Sequence, residues 1–267
     1  MRWIIGILLG LLGFYIVIMA LAFFLQRKAL YFPPQTYVSP ETLGLPMEEV
    51  RTPNGQLGWY APPRGDAMVV MVFHGNASDI SSNTHIFADL LNAGYGVYSV
   101  GYAGYPGNAG VPPTQAGIVA SAQAQYDELR SRGIPAERIA FYGTSLGSGV
   151  AAQLAVTRPP ILLVMDAPFN SVLDMAKQTA RFLPVEVLLR DHWRSDVALQ
   201  SYDGPLVWIH GDNDPVIGLS QGAKLYAGYA GPKAQYLTLG SGHTGNWALG
   251  GRDVVLAALA NPSDMTP

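Results

Sequence analysis

The stretch Ile139-Ala140-Phe141-Tyr142-Gly143-Thr144-Ser145-Leu146-Gly147-Ser148 passes from an apolar, strand-like segment into a small-residue, helix-like one, with a glycine-framed serine at the join. A strand over residues 139–142 and a helix over 148–157 force the chain through a sharp turn at Ser145. Such a turn holds the hydroxyl exposed, and glycines on either side remove the side chains that would collide there. The helix start offers unpaired N–H groups beside it. Ser145 is therefore a candidate nucleophile; the plain alternative is a tight turn that happens to contain serine.

Working outward, residues 68–73 form a continuous apolar run, the pattern of a strand buried on both faces. A helix is expected over 83–92, a strand over 96–101 and a long helix over 113–132 ending at Gly133. Further strands are expected over 161–165, 206–210 and 234–239, with helices over 219–227 and 253–260. Pro53-Asn54-Gly55, between 49–52 and 56–60, reads as a hairpin turn. Repeated strand–helix alternation predicts an α/β fold, a mostly parallel sheet with helices on both faces. The rhythm breaks after residue 166, and 169–205 reads as a lid-like insertion. Its apolar run, Phe182-Leu183-Pro184-Val185-Glu186-Val187-Leu188-Leu189, suits either a small lid over an acyl site or a core helix.

A serine hydroxyl needs a base to take its proton. His243 lies in Gly240-Ser241-Gly242-His243-Thr244-Gly245, a glycine-rich loop after the last strand and well placed to reach across the carboxyl edge of the sheet. His74 and His210 end apolar strands before a glycine and read as backbone-packing residues; His85 and His192 suit surface or local roles. An acid must hold the base in its working tautomer. Asp214, in Gly211-Asp212-Asn213-Asp214-Pro215, is favoured because the proline restricts its backbone. Asp212 can instead cap the turn, and Asp166 is a third candidate at the same sheet edge. The order Ser145, Asp214, His243 is that of α/β-hydrolases. Two N–H donors are needed for an oxyanion: the backbone of Leu146, directly after the serine, and that of Asn76 in His74-Gly75-Asn76-Ala77.

Composition excludes other chemistries. The 267 residues hold 16 Lys+Arg against 19 Asp+Glu, a net charge of −3, so there is no basic field for nucleic acid. Cysteine is absent, and the 5 histidines show no ligand spacing, so neither a metal nor another cofactor is expected. Residues 3–25 carry no charge, and a helix of that length spans ~35 Å, enough for a hydrocarbon core of ~30 Å. Arg2 precedes the run; Arg27 and Lys28 follow it. Residues 1–28 therefore read as an uncleaved membrane anchor, a cleaved signal peptide ending near Ala20-Leu21-Ala22 being the rival. Gly6 and Gly10 form a small-residue notch that could pair two anchors weakly. Residues 29–48, with Pro33, Pro34, Pro40 and Pro46, read as a connector, and 49–267 as the globular domain.

Together these motifs resemble the membrane-anchored bud-emergence (Bem)-like α/β-hydrolases. The likeness rests on His74-Gly75-Asn76, the serine elbow, His210-Gly211-Asp212-Asn213-Asp214 and Gly242-His243. Gln26-Arg27, Leu30-Tyr31-Phe32-Pro33, Gly58-Trp59-Tyr60, Ala167-Pro168-Phe169-Asn170-Ser171 and the lid stretch 183–191 extend it over nearly the whole chain. One departure is Tyr102-Ala103-Gly104-Tyr105-Pro106, where the family often carries Tyr-Arg-Gly-Tyr-Gly. The resemblance implies serine acyl hydrolysis of an ester, thioester or lipid, with the domain outside the cytoplasm at the cell membrane. A serine peptidase and a catalytically silent scaffold on the same fold are the alternatives.

Overall fold

Alternating side chains along each strand divide the hydrophobic material between two faces of one sheet. The computed structural model describes residues 1–264; the last three residues expected in the domain, 265–267, lie outside the described residues. The strands are β1 (Glu48–Arg51), β2 (Leu57–Ala61), β3 (Val69–Phe73), β4 (Gly96–Val100), β5 (Ile139–Thr144), β6 (Leu163–Asp166), β7 (Leu206–Gly211) and β8 (Lys233–Thr238). They form one eight-stranded sheet in the order 1-2-4-3-5-6-7-8. The β1–β2 hairpin and the β2–β4 pairing are antiparallel, and every other pairing is parallel. At the hairpin turn the Gly55 N–H donates to the Thr52 carbonyl at 2.8 Å, with Gly55 at φ 79°.

Val69, Met71 and Phe73 of β3 join one core; Val70 and Val72 join the other. The first core is covered by α3 (Gln115–Ser131), α4 (Leu146–Ala155) and α8 (Leu219–Gly228), through residues such as Ile118, Val150 and Leu225. The second is covered by α2 (Thr84–Asn92) and α9 (Arg252–Ala260), through Phe87, Leu90, Val255 and Leu259. This is the α/β fold expected, with helices on both faces. Helix α3 starts later than expected because the Thr114 hydroxyl caps it, accepting from the Gly117 N–H at 2.9 Å.

Residues 169–205 fold into three short helices, α5 (Val172–Thr179), α6 (Val185–Leu188) and α7 (Ser195–Ala198). Helix α1 (Arg2–Leu30) has 29 residues, none of them fully buried, and is long and apolar enough to cross a membrane. It continues five residues beyond the expected apolar run. Tyr31 follows at once and enters the first core, so the proline-rich stretch after it lies on the domain surface.

Candidate active site

β5 ends at Thr144 and α4 begins at Leu146, so Ser145 carries the whole reversal, at φ 54° and ψ −120°. Few L-residues adopt that backbone, and such strain persists only where surrounding structure imposes it. Here the Ser145 N–H donates to the Asp166 carbonyl at 2.9 Å, and its own carbonyl accepts from the Ser148 N–H at 3.0 Å and hydroxyl at 2.6 Å. A Cβ on Gly143 would strike the Gly147 carbonyl, and one on Gly147 would strike the Phe73 carbonyl. Only glycines let the helix begin this close to the sheet.

The loop after β8 brings His243 to the serine, with Nε2 2.9 Å from Ser145 Oγ. On the other side, His243 Nδ1 lies 2.7 Å from Asp214 Oδ2. Asp214 sits on the turn after β7, where its Oδ1 accepts from the backbone N–H groups of Val216 at 2.8 Å and Ile217 at 2.9 Å. Its carboxylate is thus held in place and satisfied while fully buried. The other two acids are engaged elsewhere. Asp212 accepts from the Gly240 N–H at 2.8 Å, a tie between two loops. Asp166 accepts from the Tyr142 hydroxyl and from Asn246 Nδ2, each at 2.7 Å. Burial raises the pKa of Asp166 and lifts that of Tyr142 well above the usual phenol range.

The loop after β3 packs onto the serine turn: a Cβ on Gly75 would lie 3.6 Å from Ser145 Cβ. Leu146 opens α4, so its N–H has no carbonyl one turn earlier. Asn76 is the next residue along the facing loop, and its side chain has a separate occupation. Its Nδ2 donates to the Leu30 carbonyl, while Oδ1 accepts from the Phe32 N–H at 3.0 Å and the Tyr105 hydroxyl at 2.8 Å. Leu30, Phe32 and Tyr105 were not among the expected site residues, although each lies in a stretch that carries or departs from the family resemblance.

The remaining histidines differ from one another. His74 is buried, stacks on Tyr102 with ring centroids 3.9 Å apart, and holds Nδ1 2.8 Å from the Gly75 carbonyl. Burial depresses its pKa to about 4. His210 was expected to pack against backbone, and its Nε2 lies 2.9 Å from the Ile217 carbonyl. That same nitrogen is also 3.4 Å from Asp214 Oδ2, and Trp208 Nε1 donates to His210 Nδ1 at 3.3 Å. Nε2 is thus the ring nitrogen turned toward the Ile217 carbonyl and Asp214. His85 lines the cavity, and His192 accepts through its carbonyl from the Leu173 N–H within the insertion.

A cavity of about 670 Å³ opens over Ser145 and His243. One wall is Leu30 and Phe32, at the foot of α1; α5 contributes Val172 and Met175, with Ile217 and Trp247 beyond. The insertion is tied to that same helix. Arg27 makes a two-pronged pair with Asp191 at 2.8 and 3.1 Å. Gln26 donates to the Leu188 carbonyl at 2.9 Å and accepts from the Arg190 N–H at 2.7 Å. Trp193 Nε1 donates to the Tyr31 hydroxyl at 2.9 Å.

Comparison with known proteins agrees with this architecture. The family model described as "Serine aminopeptidase, S33" matches residues 65–189. A Mycobacterium tuberculosis protein, named only as uncharacterized, is 35% identical over 242 residues, covering 88% of this chain and 85% of that one. The alpha/beta hydrolase domain-containing protein WAV2 of Arabidopsis thaliana is 26% identical over 274 residues, 91% of this chain and 89% of its own. Among solved structures, the Pyrococcus furiosus esterase Pf2001 superposes with a TM-score of 0.68 at 18% identity, covering 87% of this chain and 98% of that one. The fold matched by that esterase, the family match over residues 65–189 and relatives aligned along most of their length lead to one assignment: the chain belongs to the α/β-hydrolase family.

Proposed function

We propose that the protein is a membrane-tethered serine hydrolase of acyl esters or thioesters, of the anchored Bem-like branch of its family. The observation carrying this reading is the Ser145–His243–Asp214 relay, with spacings of 2.9 and 2.7 Å, at the floor of a mostly apolar cavity. Ser145 Oγ attacks the acyl carbonyl carbon as its proton passes to His243 Nε2. The backbone N–H groups of Leu146 and Asn76 receive the oxyanion. Collapse expels the alcohol or thiol, which takes the proton from His243. Water then attacks the acyl-enzyme, giving its proton to His243, and the acid leaves as Ser145 regains its hydrogen. Asp214 holds the ring and stabilises the imidazolium. This chemistry needs no metal or other cofactor.

The division of labour along the chain follows: the helix to Leu30 anchors, the stretch from the core residue Tyr31 to Met47 connects along the domain surface, and the domain from Glu48 onward works, with 169–205 as its lid. The domain faces away from the cytoplasm. Nothing lies within 4 Å of a Cβ built on Gly6 or Gly10, and that open notch permits weak pairing of two anchors. A peptidase acting on a free amino terminus would need an anion for the substrate ammonium; Asp166 is the carboxylate in the cavity wall, and both its oxygens are already hydrogen-bonded.

Fluorophosphonate labelling of the detergent-solubilised protein beside Ser145→Ala tests the reading. The expected result is an adduct on Ser145 alone and turnover of p-nitrophenyl esters. A folded protein that takes no label from probes of several sizes would overturn it.

A further inference from the structure

Helix α1 runs beside the insertion for half its length before the domain begins. Ile18, Met19, Ala22 and Phe23 are half-buried and share a face with Gln26 and Arg27, whose partners lie in the insertion. The contact extends further up the helix, where the Tyr15 hydroxyl donates to the Phe182 carbonyl at 2.7 Å.

Depth follows from helix geometry. With Arg2 at the far surface, about 20 residues cross the ~30 Å hydrocarbon core, which brings the near surface to Ala22. Tyr15 lies seven residues deeper, ~10 Å inside, and the turn at Phe182 lies with it. That turn is built for such a place. Phe182 is 90% exposed and Val187 81%, with no protein covering either. An exposed carbonyl in hydrocarbon needs a donor, and Tyr15 supplies one. Of the nearby charges, Lys177 pairs with Glu186 at 3.0 Å, while Arg181 has a backbone partner, its Nε donating to the Gln178 carbonyl at 3.2 Å, and a stem long enough to carry its charge toward the headgroups.

We propose that residues 180–189 are embedded in the same leaflet as the C-terminal half of α1, and that an acyl chain passes from that leaflet into the cavity between Phe32 and α5. The substrate class is then a bilayer-resident, long-chain acyl ester rather than a water-soluble one. The substrate half of this inference rests on the hydrolase part of the reading above, and the insertion half on its membrane-anchor part alone.

The absence of cysteine makes a single label possible. Phe182→Cys, carrying an environment-sensitive fluorophore in full-length protein reconstituted into phosphatidylcholine vesicles, should emit to the blue and be quenched by brominated acyl chains. The same label at Ser131→Cys, at the end of α3 on the opposite edge of the sheet, should not be. An unquenched label at 182 overturns insertion. For loading, Phe182→Asp combined with Val187→Asp should lower turnover of a long-chain monoacylglycerol in vesicles about tenfold or more. Hydrolysis of p-nitrophenyl butyrate and labelling of Ser145 should stay unchanged, because neither residue lines the cavity. Equal turnover of the vesicle substrate, or equal loss on both substrates, overturns loading from the leaflet. If the wild type hydrolyses neither ester and takes no fluorophosphonate, the hydrolase reading fails while the quenching measurement still decides insertion.

Discussion

The side-chain amide of Asn76 donates to the Leu30 carbonyl, joining the loop beside Ser145 to the last residue of the long apolar helix 46 positions earlier in the chain. Its oxygen receives the Phe32 N–H and the Tyr105 hydroxyl, so three partners fix one side chain. Asn76→Ala keeps the backbone N–H yet removes all three bonds, each worth ~1 kcal/mol. Loosening a donor loop by about 1 Å costs on the order of 100-fold in rate. The expected result is a fall in kcat of about 10- to 100-fold, with KM for short esters little changed and faster hydrogen exchange over residues 75–78. Tyr105→Phe should fall between wild type and Asn76→Ala. Wild-type exchange in Asn76→Ala would separate the loop from the helix.

Two aspartates on one turn separate cleanly. Asp214 meets His243 at 2.7 Å, whereas Asp212 holds the Gly240 N–H. Ester hydrolysis by Asp214→Asn should drop by ~10⁴, the scale seen when a triad acid is neutralised. Asp212→Asn should retain most activity. Steady-state kinetics on a short ester decides the matter, and a reversed ranking would sink the assignment of the acid.

The pairing of Arg27 with Asp191 is unequal in exposure: the arginine side chain is 27% exposed and the carboxylate 4%. Removing the cation alone strands a buried charge, a loss of about 3 kcal/mol. Arg27→Ala should therefore loosen the insertion, and limited trypsin digestion should cut after Arg181 sooner than in wild type. Arg27→Ala with Asp191→Leu should recover part of the resistance, because no charge is then left unpaired.

His74 gives a stability profile with a definite sign. Its folded-state pKa is about 4, below its ordinary value of 6.5, so the unfolded chain binds the proton more readily. Stability from the neutral ring is present above pH 6.5 and is lost as the pH falls from there toward 4. Between pH 7 and 5 the loss is about 2 kcal/mol. Urea unfolding in mild detergent should show that loss in wild type and less of it in His74→Gln; identical slopes in the two would contradict it.

At the serine elbow, Gly147→Ala pushes a methyl into the Phe73 carbonyl, a backbone atom that cannot swing away. Strain of this kind costs several kcal/mol or displaces the turn. The variant should lose fluorophosphonate labelling and melt well below wild type. Ala at Gly228, where nothing lies within 4 Å of the new methyl, should do neither.

Local patterns in the sequence carry much of this fold. Apolar runs of five or six residues between turn signals mark strands, and Ser145, Asp214 and His243 each follow one such run, so the carboxyl edge of a parallel sheet gathers them. Boundaries moved where a cap acts: Thr114 starts α3 two residues late, and the turn at Ser145 starts α4 at Leu146. What could not be read were contacts without local grammar. Gln26 and Arg27 lie over 160 positions from their partners, and an Arg–Asp pair at that separation has no signature in either neighbourhood. The partners of the Asn76 side chain were likewise out of reach of a local reading, being the Leu30 carbonyl, the Phe32 N–H and the Tyr105 hydroxyl. His210 does meet backbone, at the Ile217 carbonyl, but its nearness to Asp214 was not readable because only the folded turn brings the two together.

Tyr31 is 4% exposed and shares a core with Phe73 and Phe141, one residue beyond the end of α1. Proteolytic shedding is thereby made costly. A cut that frees the domain just past the apolar helix would leave a core tyrosine at a charged new terminus and strip Gln26 and Arg27 from the insertion. If the proposed hydrolase reading holds, the released fragment would be a weaker catalyst with a slack insertion. On the proposed reading tether and catalyst are one heritable unit, and a form of the domain without α1 would need its own replacement for residues 26–31.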